Sequence, residues 1–229
     1  MVRETIKSIS ALMLSRNLLD NFGLQFSKEK KQIVDQISEI LNISIPEKQL
    51  TELGEESQTL EFKSSLVTPA GKLDPDEKKQ KKHIMERLCG MLNTDGGTLY
   101  IGVNNQGIAA GLDSDIAYFT KLCKGPQDDP IDKFRNCFDE AAYSALGTQP
   151  VQYITSSMVT IDGRLVFKID VKRCPDPVAV AGIYYVRYGA TTREAKNAAE
   201  IRAMHEKREE LGLYSTKSDA DIADNHTIK

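Results

Sequence analysis

The sequence predicts an α+β domain, a mixed and mostly antiparallel sheet with helices packed on it, preceded by a separate helical segment. Three observations predict it. Short runs with two-residue alternation interleave with longer runs of helical periodicity, in the order strand, helix, hairpin, helix, hairpin, strand, helix. Glycine dipeptides, Gly96-Gly97 and Asp162-Gly163, sit at the junctions. The chain of 229 residues is 40% hydrophobic and 28% charged, a globular composition with room for one good-sized core and an appendage.

Residues 4 to 54 read as helical and distinct in character. Ile6, Ile9, Leu12 and Met13 share helical spacing, and Asn21-Phe22-Gly23 breaks the pattern. Ser27 caps a second helix with Ile33, Ile37, Ile40 and Leu41 as its stripe, and Pro46 closes it. Such stripes serve either as a prefix packing on the main domain or as a hairpin for dimerisation or a protein partner. Domains are expected over 1–54, 55–212 and, as a polar disordered tail, 213–229.

Thr59 to Lys63 alternates as a short strand, with Glu61 and Lys63 on one face and Leu60 and Phe62 on the other. Pro69, Gly71 and Pro75 mark 64–76 as a loop. A helix follows from about Asp76, with Ile84, Leu88, Met91 and Leu92 inward, and ends at Asn93-Thr94. Thr98 to Val103 is a strand, 104–107 a turn, and 108–112 the returning arm of a hairpin. Ile131, Phe134, Phe138, Ala142 and Ala145 mark a further helix. Pro150 opens two strands, about 151–160 and 164–171, joined at Asp162-Gly163. Ile183 to Arg187 is another strand, and 194–211 a last helix with Ile201, Met204 and Leu211 inward.

Four features carry candidate chemistry. Glu56 and Glu61, with Lys63 two residues on, form an acidic pair that could hold a divalent metal such as Mg²⁺ or Mn²⁺, with the lysine adding charge at a phosphoryl transition state. An exposed strand edge would carry the same residues. Asn93-Thr94-Asp95-Gly96-Gly97 offers backbone N–H groups to a phosphate or serves as a helix C-cap. No Walker A sequence occurs, so ATP is not expected as a cofactor. Tyr184 to Arg193 interleaves aromatics with Arg187 and Arg193, the pattern that grips phosphates and stacks on bases, with Tyr185 and Arg187 sharing one face. Lys78, Lys79, Lys81 and Lys82 form a basic run on a helix that either is solvated or tracks a nucleic-acid backbone.

The formal net charge of −3 gives no global basicity, though a local basic face is compatible with it. Cys89, Cys123, Cys137 and Cys174 lack the spacing of a zinc ribbon or a disulfide scaffold. No apolar run approaches the roughly 18 residues that span a bilayer, and the first residues lack a signal-peptide layout. A cytoplasmic protein with no membrane partner is expected.

Taken together, the motifs resemble the Schlafen AlbA-type domain family, formerly described as divergent ATPase-like, and its single-module prokaryotic members in particular. The matching pieces are Glu56-x-x-x-Leu60-Glu61-Phe62-Lys63, the run from Asn93 to Val103, Gly107 to Gly111-Leu112, and Pro177 through Tyr185-Val186-Arg187-x-Gly189-x-Thr191. The likeness covers about residues 55 to 210. It implies binding of RNA or DNA, with a regulatory role. The basic and aromatic residues Lys63, Lys78, Lys79, Lys81, Lys82, Tyr185, Arg187 and Arg193 are the candidate contacts for it. In animal Schlafen proteins two such modules form a clamp that cuts tRNA and rRNA with three acids. Two of these match Glu56 and Glu61, whereas Asn104 and Asn105 stand where the third would be. The resemblance thus carries an endoribonuclease alternative with an incomplete acid set, and a nucleotide- or protein-binding module remains a third. A single module supplies half a clamp, so a homodimer is expected, built through residues 4–54.

Overall fold

The structure is a computed structural model that describes residues 50–72, 74–210 and 212. The expected helices before Leu50 and the expected tail lie outside the described residues.

The first strand, β1, spans Leu60–Lys63, and the long helix α1 spans Glu77–Asn93. Asp76 caps α1 by accepting from the Lys79 N–H at 3.2 Å. Strand β2, Gly97–Ile101, returns parallel to β1, with Leu60 opposite Thr98 and Lys63 opposite Ile101. Two short helices and a long one follow: α2, Asp113–Thr120; α3, Pro130–Leu146; and α4, Thr148–Val151. Pro130 sits at the start of α3, where its missing N–H is harmless, and Asp129 accepts from the Ile131 N–H at 2.8 Å. Strands β3, Ile154–Ile161, and β4, Arg164–Val171, form the hairpin that Asp162-Gly163 predicts. The four strands make one sheet in the order β1-β2-β4-β3, parallel only at β1–β2. A second sheet holds β5, Ala179–Val180; β6, Ile183–Tyr188; and β7, Thr191–Glu194, all antiparallel. Helix α5, Ala198–Glu210, is the last element described. The α+β class with a mostly antiparallel sheet and packed helices is therefore the architecture seen.

One face of the first sheet buries Leu99, Ile101, Phe167, Ile169 and Val171 against Ile84, Leu88 and Leu92 of α1 and Phe134 and Phe138 of α3. Phe167 meets Phe134 and Phe138 edge-on, at 5.2 and 5.1 Å between ring centroids. The other face carries a smaller cluster of Phe62, Val103, Ala109 and Val166.

Several expected elements differ. The returning arm over 108–112 forms only isolated bridges, Val103 to Ala109 and Glu52 to Ile108. Both edges of β2 are already paired, by β1 and β4, so no ladder position is left for a third neighbour. Helix α2 falls in a stretch read without structure, although Ile116 and Phe119 have helical spacing there. The strand placed from Pro150 begins at Ile154. Residues 148–151 instead wind into α4, and the Tyr153 N–H donates to the Pro150 carbonyl at 3.0 Å. The hydroxyl-rich stretch after Arg187 is strand β7.

Residues 51–53 bind to this domain. The Thr51 N–H donates to Asp162 at 2.7 Å, and the Leu53 N–H to the Gly107 carbonyl at 3.0 Å.

Candidate functional site

The glycine turn organises everything around it. Gly96 and Gly97 have φ of +73° and +141°. A Cβ at Gly96 would stand 2.4 Å from the Val171 carbonyl oxygen, and one at Gly97 2.3 Å from that of Thr59. The glycines are there because two backbones close on them. The Gly96 N–H donates to the Met91 carbonyl at 3.0 Å, so of the two readings of the turn the helix C-cap is the one the structure supports. The turn also sets β2 beside β1, and so fixes where Glu61 points.

Asn93 is the buried hub of the turn. Its amide nitrogen donates to the carbonyls of Val178 at 2.7 Å and Tyr185 at 2.8 Å, and its oxygen accepts from the Val178 N–H at 2.8 Å. This clamps the second sheet to the end of α1. Thr94 turns its hydroxyl back to the Gly90 carbonyl at 2.8 Å, and Asp95 pairs at the surface with Arg173.

Glu61 projects from β1 toward α1, on the face of Leu99. Its side chain is 3% exposed. Oε2 accepts from Arg187 Nη1 at 2.6 Å, while Oε1 meets Lys63 Nζ at 2.5 Å and Arg87 Nε at 3.4 Å. Burial pushes the Glu61 carboxyl up, but Lys63 and Arg187 more than offset it and hold the group below its ordinary value. Arg187 is wholly buried. Its remaining donors go to the carbonyls of Ser57, Gln58 and Leu60 and to the Thr192 hydroxyl. Arg87 and Lys63 are partly exposed, at 30% and 21% of their side chains. Three cations thus share one carboxylate, and the two that reach solvent are only partly neutralised.

The acids do not fit a divalent metal. Glu61 is fully engaged by cations, and Glu56 Oε1 accepts from the Phe62 N–H at 3.0 Å. The Asn104 amide oxygen closes its own turn by accepting from the N–H groups of Gln106 and Ile108, each at 3.0 Å. That turn follows Val103, which packs with Phe62 on the sheet face opposite Glu61. Among the described residues no group of three or more His, Cys, Asp or Glu side chains is placed to hold a metal ion.

The expected contact residues divide. Lys78, Lys79 and Lys82 are exposed on the first half of α1. Lys78 and Lys79 have no acidic partner among the described residues, and Lys82 approaches Glu86 only to 3.9 Å. Lys81 instead turns inward, bonding Glu77 at 2.5 Å and lying 3.5 Å from the Cys137 sulfur. Tyr185 is buried with its hydroxyl on Glu86 at 3.1 Å, and burial pushes it up to about 12. Tyr185 and Arg187 are therefore core residues, a correction with a simple cause. In β6 the residues 185, 186 and 187 are all buried, because α1 covers one face and α5 the other. Arg193 is exposed and stacks over Tyr188, its guanidinium carbon 4.0 Å from the ring centroid.

Of the side chains that build this surface, Arg87 alone carries no sequence motif. Lys79, His83 and Arg87 stand at i, i+4 and i+8 on α1, a spacing that would have found it. Tyr188 belongs to the aromatic run 184–193, and it is the ring of that run that ends a strand and stays exposed.

No helix among the described residues is long and apolar enough to cross a membrane. No curated protein matches the chain. Among solved structures, the crystal structure of the DIP2311 protein from Corynebacterium diphtheriae is similar at 16% identity with a TM-score of 0.46. The match covers 78% of this chain and 29% of that one, so the chain spans less than a third of its length. The family model described as Schlafen, AlbA_2 matches residues 56–196, and with the glycine turn and the Glu61–Lys63 strand inside that span, the chain belongs to the Schlafen AlbA_2 family.

Proposed function

We propose that this chain is a nucleic-acid-binding module whose contact surface is the outward side of α1 together with Lys63. The observation that carries the reading is the run of Lys79, His83 and Arg87 leading to a carboxylate outnumbered by cations. Backbone phosphates are the anions that suit exposed lysines leading to the partly neutralised Arg87 and Lys63. Helix stability does not explain the series. Lys78 and Lys79 lie in the first turn of α1, where the helix dipole disfavours positive charge. Family membership supports the same reading.

The homodimer, a protein partner through residues 4–54, a cytoplasmic setting and a regulatory role belong to this proposal. Light scattering tests the dimer directly: a monomer at high concentration counts against it. The donor set around Glu61, taken up by cations, does not favour the endoribonuclease alternative, which needs a divalent metal there. The distinguishing experiment is a gel shift of the full chain with RNA, single-stranded DNA and duplex DNA across a salt series. Binding that weakens steeply with salt is expected, and absence of binding to all three at low salt defeats the proposal.

A further inference from the structure

The hairpin tip joining β6 to β7 presents a feature that backbone-phosphate binding does not use. Tyr188 ends β6 and is 52% exposed, although the preceding three residues are buried. Arg193 lies over that ring at 4.0 Å. The register explains the meeting. Tyr188 pairs with Thr191 and Val186 with Arg193, so Tyr188 and Arg193 are diagonal neighbours on one sheet face.

The pair is held in place from beneath. Arg187, next in the chain, is tied by its whole guanidinium to the 57–61 segment. The Gln58 side chain grips the tip at two points, accepting from the Gly189 N–H at 2.8 Å and donating to the Arg187 carbonyl at 3.1 Å. The same amide reaches Asp95 at 3.3 Å, and Asp95 is paired with Arg173. An exposed aromatic ring on so braced a turn loses little freedom when something stacks on it. A planar cation lying against a planar ring offers two stacking surfaces and an adjacent positive charge. That is the chemistry of an unpaired nucleobase with its own phosphate.

We propose that Tyr188 and Arg193 form a stacking platform for one unpaired base of single-stranded nucleic acid, with Arg193 also meeting the neighbouring phosphate. The proposal rests on the nucleic-acid reading above and makes it specific: single strands are preferred to duplexes, whose bases are not free to stack on a side chain.

The test measures binding of the full chain to short oligonucleotides of one sequence, as RNA and as DNA, single-stranded and duplex, with 2-aminopurine at the centre of the single strands. Wild type, Tyr188→Ala, Tyr188→Phe and Arg193→Ala are compared, each checked by circular dichroism. Tyr188→Ala is expected to weaken single-strand binding on the order of tenfold, the effect of losing one base–aromatic stack. Duplex affinity and the salt slope should stay as in wild type, and the 2-aminopurine quench should disappear. Tyr188→Phe should bind like wild type, since the ring face is what counts, and Arg193→Ala should weaken single-strand binding and lower the salt slope. Single-strand binding unchanged in Tyr188→Ala overturns the platform while leaving the broader reading intact, as does an equal loss on duplexes or a loss in Tyr188→Phe as large as in Tyr188→Ala. A wild type that binds no strand of either kind overturns both. The RNA and DNA arms separate the two sources of the base.

Discussion

Glu61 and Arg187 join the two sheets through an ion pair of 2.6 Å with both side chains out of solvent. Removing one partner of such a pair strands the other charge in the interior, a loss of about 3–5 kcal/mol. Glu61→Gln is therefore expected to lower unfolding stability by about that much in a urea titration followed by circular dichroism. The sign of the pH effect follows from the carboxyl being held below its ordinary value. Its contribution is present above the unfolded-state pKa and is lost as pH falls through the lower folded-state one. Wild type should lose stability over that acid range more steeply than Glu61→Gln does.

Asp115 behaves in the opposite sense. It is fully buried in α2, and one oxygen accepts from the Ser65 hydroxyl at 2.8 Å and from the N–H groups of Leu66 and Val67 at 2.9 and 3.3 Å. The other oxygen has no hydrogen-bond partner. Burial raises the carboxyl above its ordinary value despite those donors. A raised acid stabilises the fold below its unfolded-state pKa, and that contribution is lost as pH rises through the folded-state value. Asp115→Asn should therefore gain on wild type as pH rises above the ordinary range of an Asp carboxyl, read as a melting-temperature difference that widens with pH.

The basic face of α1 gives a binding prediction that leaves the fold alone. Lys78, Lys79 and Lys82 are exposed, so changing all three to alanine should not move the melting temperature appreciably. Binding to nucleic acid should weaken, and the slope of log K against log salt should shrink by roughly 0.7–0.9 for each phosphate that is no longer neutralised. An unchanged slope would place the binding surface elsewhere.

Asn93 and Gly97 test the turn as a structural device. Asn93→Ala abandons the buried carbonyls of Val178 and Tyr185, at about 1–3 kcal/mol for each group left unsatisfied. Gly97→Ala forces a side chain onto the Thr59 backbone at a φ of +141°, where strain alone is about 1–3 kcal/mol. Both variants are expected to melt well below wild type by calorimetry, with Gly97→Ala the harder to recover in soluble form.

Much of this protein was written in local pattern. The alternation from Leu60 to Lys63, the helical stripe from Ile84 to Leu92 and the Asp162-Gly163 hairpin need only neighbouring residues, because the periods of strand and helix are local geometry. The glycine turn was legible as a bend for the same reason, whereas the pairing of β2 with β1 is a tertiary result. Family likeness rested on those same motifs. What a side chain does once the elements pack is a different matter. Arg187 and Arg193 look alike in sequence, both in one aromatic run. One is wholly buried against Glu61 because α1 and α5 sandwich β6, and the other lies in solvent on Tyr188 because β7 is covered on one side only. Glu61 read as a metal ligand from its spacing to Glu56, yet it is satisfied by cations from β1, α1 and β6. Local pattern thus settles most of the elements, their order and the bend at Gly96-Gly97. Which charges neutralise one another, and which remain for a partner, follows from packing, because charge pairing and burial depend on distances between residues far apart in the chain.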